Sequence, residues 1–423
     1  MWGFRLECRS CRRRPRKPVI TCPYCGGIVE PVIENPEWKP SGRGVWRYLG
    51  LLPKLPKKLS LAEGQTPILE VVGGEAEILV KDEGRNPTGS FRDRAAAVVV
   101  SHALSVEAKG LCVASDGNMA ASASAYAALG GLRATVVVPV TADPAKIAQS
   151  TAYGASLVPG GASMSEAVEK AIRIARRRGL YNATAELNPL SITGLATIAY
   201  EVVEEGVEPD YIVIPTGSGL SLYSMSYGFR MLTSLGLVDK TPKLVAAVQE
   251  NPRGPLPMRF PGSPVLSHAL RAAEESGGKI VSVTPSEMRK AVEELARKHG
   301  ILVEPAAGAA YAAALKAGLK GRVLVILTST GLKTLGAATG GRMTGLRSTL
   351  KKSILAALLR LGEAHGYKIW REIGASTPQA IYRGLRSLEA QGLVYSRVSE
   401  GRRIYGLTKL GRILAEASEN SLG

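Results

Sequence analysis

The stretch Lys81-Asp-Glu-Gly-Arg-Asn-Pro-Thr-Gly-Ser-Phe-Arg-Asp-Arg94 decides how the rest of the chain is read. It follows a short apolar strand, Ala76-Glu-Ile-Leu-Val80. Asn86-Pro87-Thr88-Gly89 is turn chemistry. Ser90 stands where it caps a helix running through Phe91 and the alanine-valine run 95–100. A turn that feeds a helix N-terminus presents free backbone N–H groups, a natural anion site. Outward from this point, short Val/Ile/Leu strands alternate with alanine-rich helical stretches. The strands are Gly110–Ala114, Ala134–Pro139, Ala155–Pro159, Tyr211–Pro215, Leu244–Val248 and Val323–Thr328. Strands separated by helical patterns imply an α/β fold with parallel sheets and helices on both faces.

At 423 residues and 45% apolar content the chain can build two or three domains around a large core. Its formal charge of +18 suits an anionic partner such as nucleic acid. Met1-Trp-Gly-Phe-Arg leads straight into a charged, cysteine-containing segment, so no signal peptide is expected. No apolar run reaches membrane-spanning length. A cytoplasmic protein is expected.

Four of the five cysteines fall in the first 25 residues, as Cys8-Arg-Ser-Cys11 and Cys22-Pro-Tyr-Cys25. Paired C-x-x-C turns bring four thiolates to one tetrahedral zinc, and a closed four-cysteine site has no open position for catalysis. The expected metal is structural, folding a ribbon over residues 1–34 that is too small to hold a core. Arg9, Arg12, Arg13, Arg14, Arg16 and Lys17 lie in and between the knuckles, either as a solvated loop or against nucleic acid. Cys112, in an apolar strand, reads as a core residue. The histidines at 102, 268, 299 and 365 form no cluster in the sequence.

The central stretch resembles the threonine synthase family of pyridoxal-phosphate enzymes, where the segment reads N-P-T-G-S-F-K-D-R. The resemblance extends over most of residues 1–345, from Gly44-Val-Trp-Arg-Tyr48 through Ser60–Leu69 to the closing motifs Glu304-Pro-Ala-Ala-Gly308 and Leu327–Lys333. It implies two parallel-sheet lobes facing each other across a cofactor cleft, here residues 35–345. In that family the lysine after Phe forms the Schiff base, and this chain has Arg92 in its place. A guanidinium stays protonated at physiological pH and is a poor nucleophile toward an aldehyde. Lys81 and Lys333 lie near these motifs, but neither occupies the Schiff-base position.

By the same resemblance, Ser115-Asp-Gly-Asn118 is the loop that meets cofactor and substrate carboxylate. Ser115 and Gly117 are its ligand-binding members and Asn118 a cofactor contact. Asp116 adds a negative charge there. Thr216-Gly-Ser-Gly-Leu-Ser221 stands at the phosphate cradle, with Gly217, Ser218 and Gly219 able to approach a phosphate. Leu220 and Ser221 depart from the family pattern. Thr328 stands where the pyridine nitrogen is bonded. In Asn188-Pro-Leu-Ser-Ile-Thr-Gly194, Ser191 takes the place of the arginine that holds the substrate phosphate, so a charge-assisted anchor is missing.

After 345 the alternation gives way to helical periodicity. Helices are expected over Ser353–Leu361, Tyr367–Ile373, 377–390 and Thr408–Ala417. Thr377-Pro378 opens the third and Gly392 closes it, and a hairpin of Leu393–Val398 and Arg402–Leu407 follows. Residues 346–423 resemble the winged-helix DNA-binding domains of prokaryotic regulators, usually dimers. The third helix offers Gln379, Tyr382, Arg383 and Arg386 to bases or phosphate, and the wing offers Arg397, Arg402 and Arg403. Lys and Arg number thirteen against six acids in this segment. A winged helix used for dimerisation is the alternative.

Two functional expectations follow. One is a DNA-binding transcriptional regulator whose non-catalytic, threonine-synthase-like body senses an amino acid, an amino-acid phosphate or non-covalently held pyridoxal phosphate. The other is an active threonine synthase, converting O-phosphohomoserine to threonine and phosphate, with a regulatory tail.

Overall fold

A computed structural model describes residues 2–71, 76–140, 142, 144–250, 263–334, 349–374, 377–399, 401–409, 411–412 and 415–416. Strands β1 (Phe4–Cys8) and β2 (Val29–Ile33) pair antiparallel and carry the cysteine knuckles at one end. The chain continues through β3 (Ile68–Val71), β4 (Glu77–Asp82), α1 (Arg92–Ser105), β5 (Leu111–Ala114), α2 (Asn118–Leu129), β6 (Ala134–Val138), α3 (Pro144–Ala152), β7 (Ser156–Pro159), α4 (Met164–Arg178) and β8 (Tyr181–Asn182). It then runs through α5 (Leu190–Glu204), β9 (Tyr211–Pro215), α6 (Leu220–Ser234), β10 (Lys243–Gln249), α7 (Leu266–Glu275), β11 (Lys279–Val283), α8 (Pro285–His299), α9 (Pro305–Lys316) and β12 (Arg322–Leu327).

Two sheets result, as the alternation predicts. One is parallel throughout, in the order β7-β6-β5-β8. The other has the order β11-β10-β9-β12-β4-β3 and is parallel except for β3 at its edge. All of β5 and β6 and five of the six residues of β12 are buried, the signature of strands covered on both faces. Each fully buried aliphatic side chain there stabilises the fold by roughly 1.5–3 kcal/mol, so these runs set the sheets.

Ser90 does not cap α1 as the sequence suggests. The cap position is Phe91, without a side-chain cap, and Ser90 Oγ receives only a long 3.4 Å contact from Arg92 N. Asp93 closes the turn instead, accepting from Thr88 N at 2.6 Å and Thr88 Oγ1 at 2.7 Å. Behind it lies a fully buried ion network. Arg94 bonds both carboxylate oxygens of Glu83 at 2.7 Å and those of Glu201 at 2.6 and 2.8 Å. Lys81 reaches Glu201 at 3.0 Å and Thr66 O at 2.8 Å.

Toward the C-terminus come α10 (Thr349–Leu361), β13 (Ala364–His365), α11 (Gly366–Ile373), α12 (Pro378–Ala390), β14 (Val394–Ser399) and β15 (Arg402–Leu407). The three strands form one antiparallel sheet, β13-β15-β14. Ile354, Leu358, Ile369, Ile381, Leu385, Leu388 and Tyr405 make its core. Thr377 Oγ1 accepts from Ala380 N at 3.3 Å, the cap that Thr377-Pro378 predicts. The boundary expected at 345, the Arg402 side chain and part of the helix expected at 408–417 lie outside the described residues. Among the described residues, no helix is long and apolar enough to cross a membrane.

Candidate functional site

A cleft opens beyond the carboxyl ends of β5, β9 and β12, where Ala114, Pro215 and Thr328 meet in its wall. Open α/β sheets place ligands there. It encloses about 140 Å³. Arg92 projects into it from the first turn of α1. Its Nη2 donates to Glu186 Oε1 at 2.7 Å, and its guanidinium lies over the Phe91 ring at 4.9 Å. Glu186, on the short turn Ala185–Leu187, also accepts from Ser218 Oγ at 3.1 Å. The opposite wall holds Lys146, whose Nζ is 2.6 Å from Glu304 Oε2. Asn118 Nδ2 approaches the same oxygen at 3.4 Å. Burial pushes the half-buried Asp116 carboxyl up, Lys146 opposes this, and Glu186 and Glu304 add to it.

The structure brings together Arg92, Ser115, Asn118, Gly217, Ser218 and Thr328, all in the cleft wall. Gly117 is buried beneath Lys146, whose Cδ would stand 2.4 Å from an added Cβ. Gly219 turns away too. It has φ +84°, and an added Cβ would come within 2.8 Å of Leu266 Cα and Ala269 Cβ, so it serves the packing of α6 on α7. Ser191 is corrected most plainly: it is fully buried on α5, lines no part of the cleft, and its Oγ has no partner. Lys81 is locked in the ion network. Lys333 lines a separate cavity behind the Asn86–Gly89 turn, and burial holds its amine down to about 8.

Sequence reasoning missed Lys146 and Glu186. Neither lies in a recognisable motif, and Glu186 is 94 residues from its partner. Ser221, read only as a departure, also lines the cleft.

At the N-terminus the four cysteine sulfurs lie within 4.8 Å of one another, with Cys8–Cys25 at 3.5 Å and Cys11–Cys22 at 3.7 Å. Tetrahedral zinc–thiolate bonds of about 2.3 Å place sulfurs roughly 3.8 Å apart, so the set fits zinc. Cys112 is buried and its thiol, pushed up to about 11 by burial, donates to Ala171 O.

On α12, Gln379, Tyr382, Arg383 and Arg386 are all exposed. The Tyr382 ring rests against Gly366. On the hairpin, Arg397 pairs with Glu363 at 2.5 Å, and Arg403 bonds Ser396 at 2.9 Å. Both basic side chains therefore have internal partners.

Arg92 does not fit a covalently held pyridoxal phosphate. A guanidinium tied to Glu186 stands where an amine is needed. The cleft carries two cations, Arg92 and Lys146, against three acids, Asp116, Glu186 and Glu304. The Glu186 carboxylate already takes the Ser218 hydroxyl. Arg92 and Lys146 are thus both paired with acids of the cleft.

Residues 59–329 match the family model described as pyridoxal-phosphate dependent enzyme. The chain is similar to the threonine synthase of Methanocaldococcus jannaschii, with 31% identity over 388 residues, 81% of this chain and 95% of that protein. It is similar to the threonine synthase of Synechocystis sp., with 29% identity over 382 residues, 82% of this chain and 97% of that protein. Among solved structures, O-ureido-L-serine synthase superposes with TM-score 0.56 at 24% identity, over 68% of this chain and 96% of that chain. Maize serine racemase gives TM-score 0.55 at 19% identity, over 66% and 92%. These two likenesses establish a shared fold alone.

Proposed function

The chain belongs to the threonine synthase family of pyridoxal-phosphate dependent enzymes, and from that premise we propose a ligand-responsive DNA-binding regulator built on a non-catalytic body. The observation that carries this reading is Arg92, held at 2.7 Å by Glu186 where the family's lysine resides. Its charge and its partner both remove the nucleophile. The order helix, strand, helix, helix, hairpin over 349–407 supports a winged helix. The exposed Arg383 and Arg386 on its third helix supply the basic reading face. A homodimer presenting two such helices to two half-sites completes the proposal, as does one structural zinc on Cys8, Cys11, Cys22 and Cys25.

The test is binding of the full chain to fragments of its own promoter region, by fluorescence anisotropy across a salt series. Binding of one fragment well above bulk DNA is expected. Equal affinity for every fragment, or none, overturns the reading.

A second reading, a working threonine synthase with a regulatory tail, draws on Lys146, which places a primary amine in the cleft wall. Release of phosphate from O-phosphohomoserine by the purified chain, lost on Lys146→Met, would establish it.

A further inference from the structure

We propose that a recess between the N-terminal cysteine segment and the four-stranded lobe binds one amphiphilic anion, a small molecule with an apolar body and a carboxylate or phosphate head. The recess shares no wall residue with the cleft, and the inference does not depend on the regulator reading. Its walls come from β1, the loop 15–21, the ends of α1 and α4, and the turn from β8 to α5. Ile20 and Leu187, both in the wall, are tied by a 3.1 Å backbone bond, so the recess is a built feature rather than a gap between loosely apposed parts. It measures about 1010 Å³, against about 140 Å³ for the cleft. Pockets that take small molecules run from roughly 300 to 1,000 Å³.

The lining joins apolar surface to unopposed positive charge. Phe4, Leu6, Val106, Ile172, Leu180 and Leu190 supply the apolar part. Val106 is 44% exposed just past the end of α1, apolar area that an occupant would take from water. Arg16, Lys17 and Arg176, far apart in sequence, meet there as exposed side chains. Among the described residues none of the three forms an ion pair, and no acid lines the recess. The fourth cation, Arg5, is held by Glu7 at 3.1 Å. Solvation accounts for exposed cations anywhere on a surface. It does not account for their convergence on apolar walls that hold no acid, which is the complement of an amphiphilic anion.

The amide and imidazole groups of the lining have the same sense. Asn182 Oδ1 accepts from Thr184 N at 3.0 Å, so the group Asn182 has left to offer is its amide nitrogen, a donor. Asn188 Nδ2 donates to Tyr181 OH at 2.9 Å, and Tyr181 gives its own hydrogen to His102 Nδ1 at 2.9 Å. Burial holds His102 neutral, its pKa lowered to about 4. The ring then carries its hydrogen on Nε2, again a donor. An anionic head only accepts.

The experiment is titration calorimetry on the full chain, with every probe below its micelle-forming concentration. Octanoate and octyl phosphate are the anionic probes, 1-octanol is the neutral body, octylammonium the cationic one, and acetate the head alone. At least one anion should bind once per chain, at least about tenfold more tightly than octanol, because charge-assisted hydrogen bonds add to the same apolar body. The tighter of the two identifies the head as carboxylate or phosphate. Octylammonium should bind more weakly than octanol, and acetate not measurably. The triple exchange Arg16→Gln/Lys17→Gln/Arg176→Gln should weaken the anion at least about tenfold and leave octanol unchanged. All three side chains are exposed, so the melting temperature without ligand should stay at the wild-type value. Absence of binding by both anions up to about 5 mM overturns the inference. So does octanol, octylammonium or acetate binding as tightly as the better anion, or a folded triple variant that keeps the wild-type affinity.

Discussion

Exchanging Arg92 for lysine tests whether one side chain separates this cleft from its relatives. At pH 8 about 0.4% of a lysine is neutral from its ordinary pKa of about 10.4, against about 0.003% or less of a guanidinium. The reactive fraction should therefore rise at least about a hundredfold on Arg92→Lys. Glu186 works against that gain. A carboxylate at the distance seen here, 2.7 Å, raises an amine's pKa by roughly 1–3 units and cuts the neutral fraction by tenfold or more. Arg92→Lys alone should then react slowly, and Arg92→Lys/Glu186→Gln at least about tenfold faster. The assay uses pyridoxal phosphate as an aldehyde probe, fixes the product with borohydride, and maps it by peptide mass. Wild type should carry no adduct at 92, the single variant little, and the double variant close to one per chain. An adduct at residue 92 in neither variant, with both folded, refutes the reasoning. So does wild-type labelling at Lys146 as fast as the double variant labels at 92.

Arg94→Met should destabilise the body by about 3–5 kcal/mol in denaturant unfolding, because it leaves the buried Glu83 carboxylate without its cation and Glu201 with Lys81 alone. Lys333→Met should stabilise it, by at most about 3 kcal/mol at pH 7, and by little at pH 10. Burial lowers the folded-state amine to about 8, so the penalty is complete below pH 8 and fades as pH rises toward the unfolded value of about 10.4. Chelation or Cys25→Ser should release one zinc per chain by elemental analysis and lower the melting temperature, since closed cysteine sites contribute folding energy outright. Arg383→Ala/Arg386→Ala should weaken promoter binding and make its log–log salt slope shallower by about 2, if each contacts a phosphate.

The sheets were legible because their strands are short, unbroken, β-branched-rich apolar runs between turns and helical stretches: Leu111–Ala114 and Ala134–Val138 are buried at every position. Edge strands β3 and β11 were not, because exposed residues interrupt them; Lys279, Ile280 and Ser282 face outward in β11. The cysteine cluster followed from spacing, and α12 from Thr377-Pro378. The cleft was half legible. Motifs locate Arg92, Asn118, Ser218 and Thr328, each attached to the end of a strand or the start of a helix. Glu186 and Lys146 carry no local signal, because their roles arise when two loops and a helix distant in sequence fold around one space. Ser191 shows the opposite error, in which a position aligned by motif lies buried on α5 and lines no part of the cleft.

The N-terminal cysteine segment bears on the cleft as well as on itself. Ile20 N donates to Leu187 O at 3.1 Å, one residue past Glu186. Glu30 on β2 accepts from Tyr223 OH at 2.6 Å and pairs with Arg230, and Pro31 O accepts from Tyr227 OH at 2.7 Å. All three partners lie on α6, which leaves the glycine loop and brings Ser221 into the cleft. The segment thus braces the Glu186 turn from one side and the helix after Ser218 from the other. An arginine at 92 needs that bracing more than a lysine would, because a planar fork is satisfied only by a carboxylate in a fixed place. A turn as short as Ala185–Leu187 cannot hold such a place unaided. Its position is set by a segment whose four clustered cysteines lie far from the cleft.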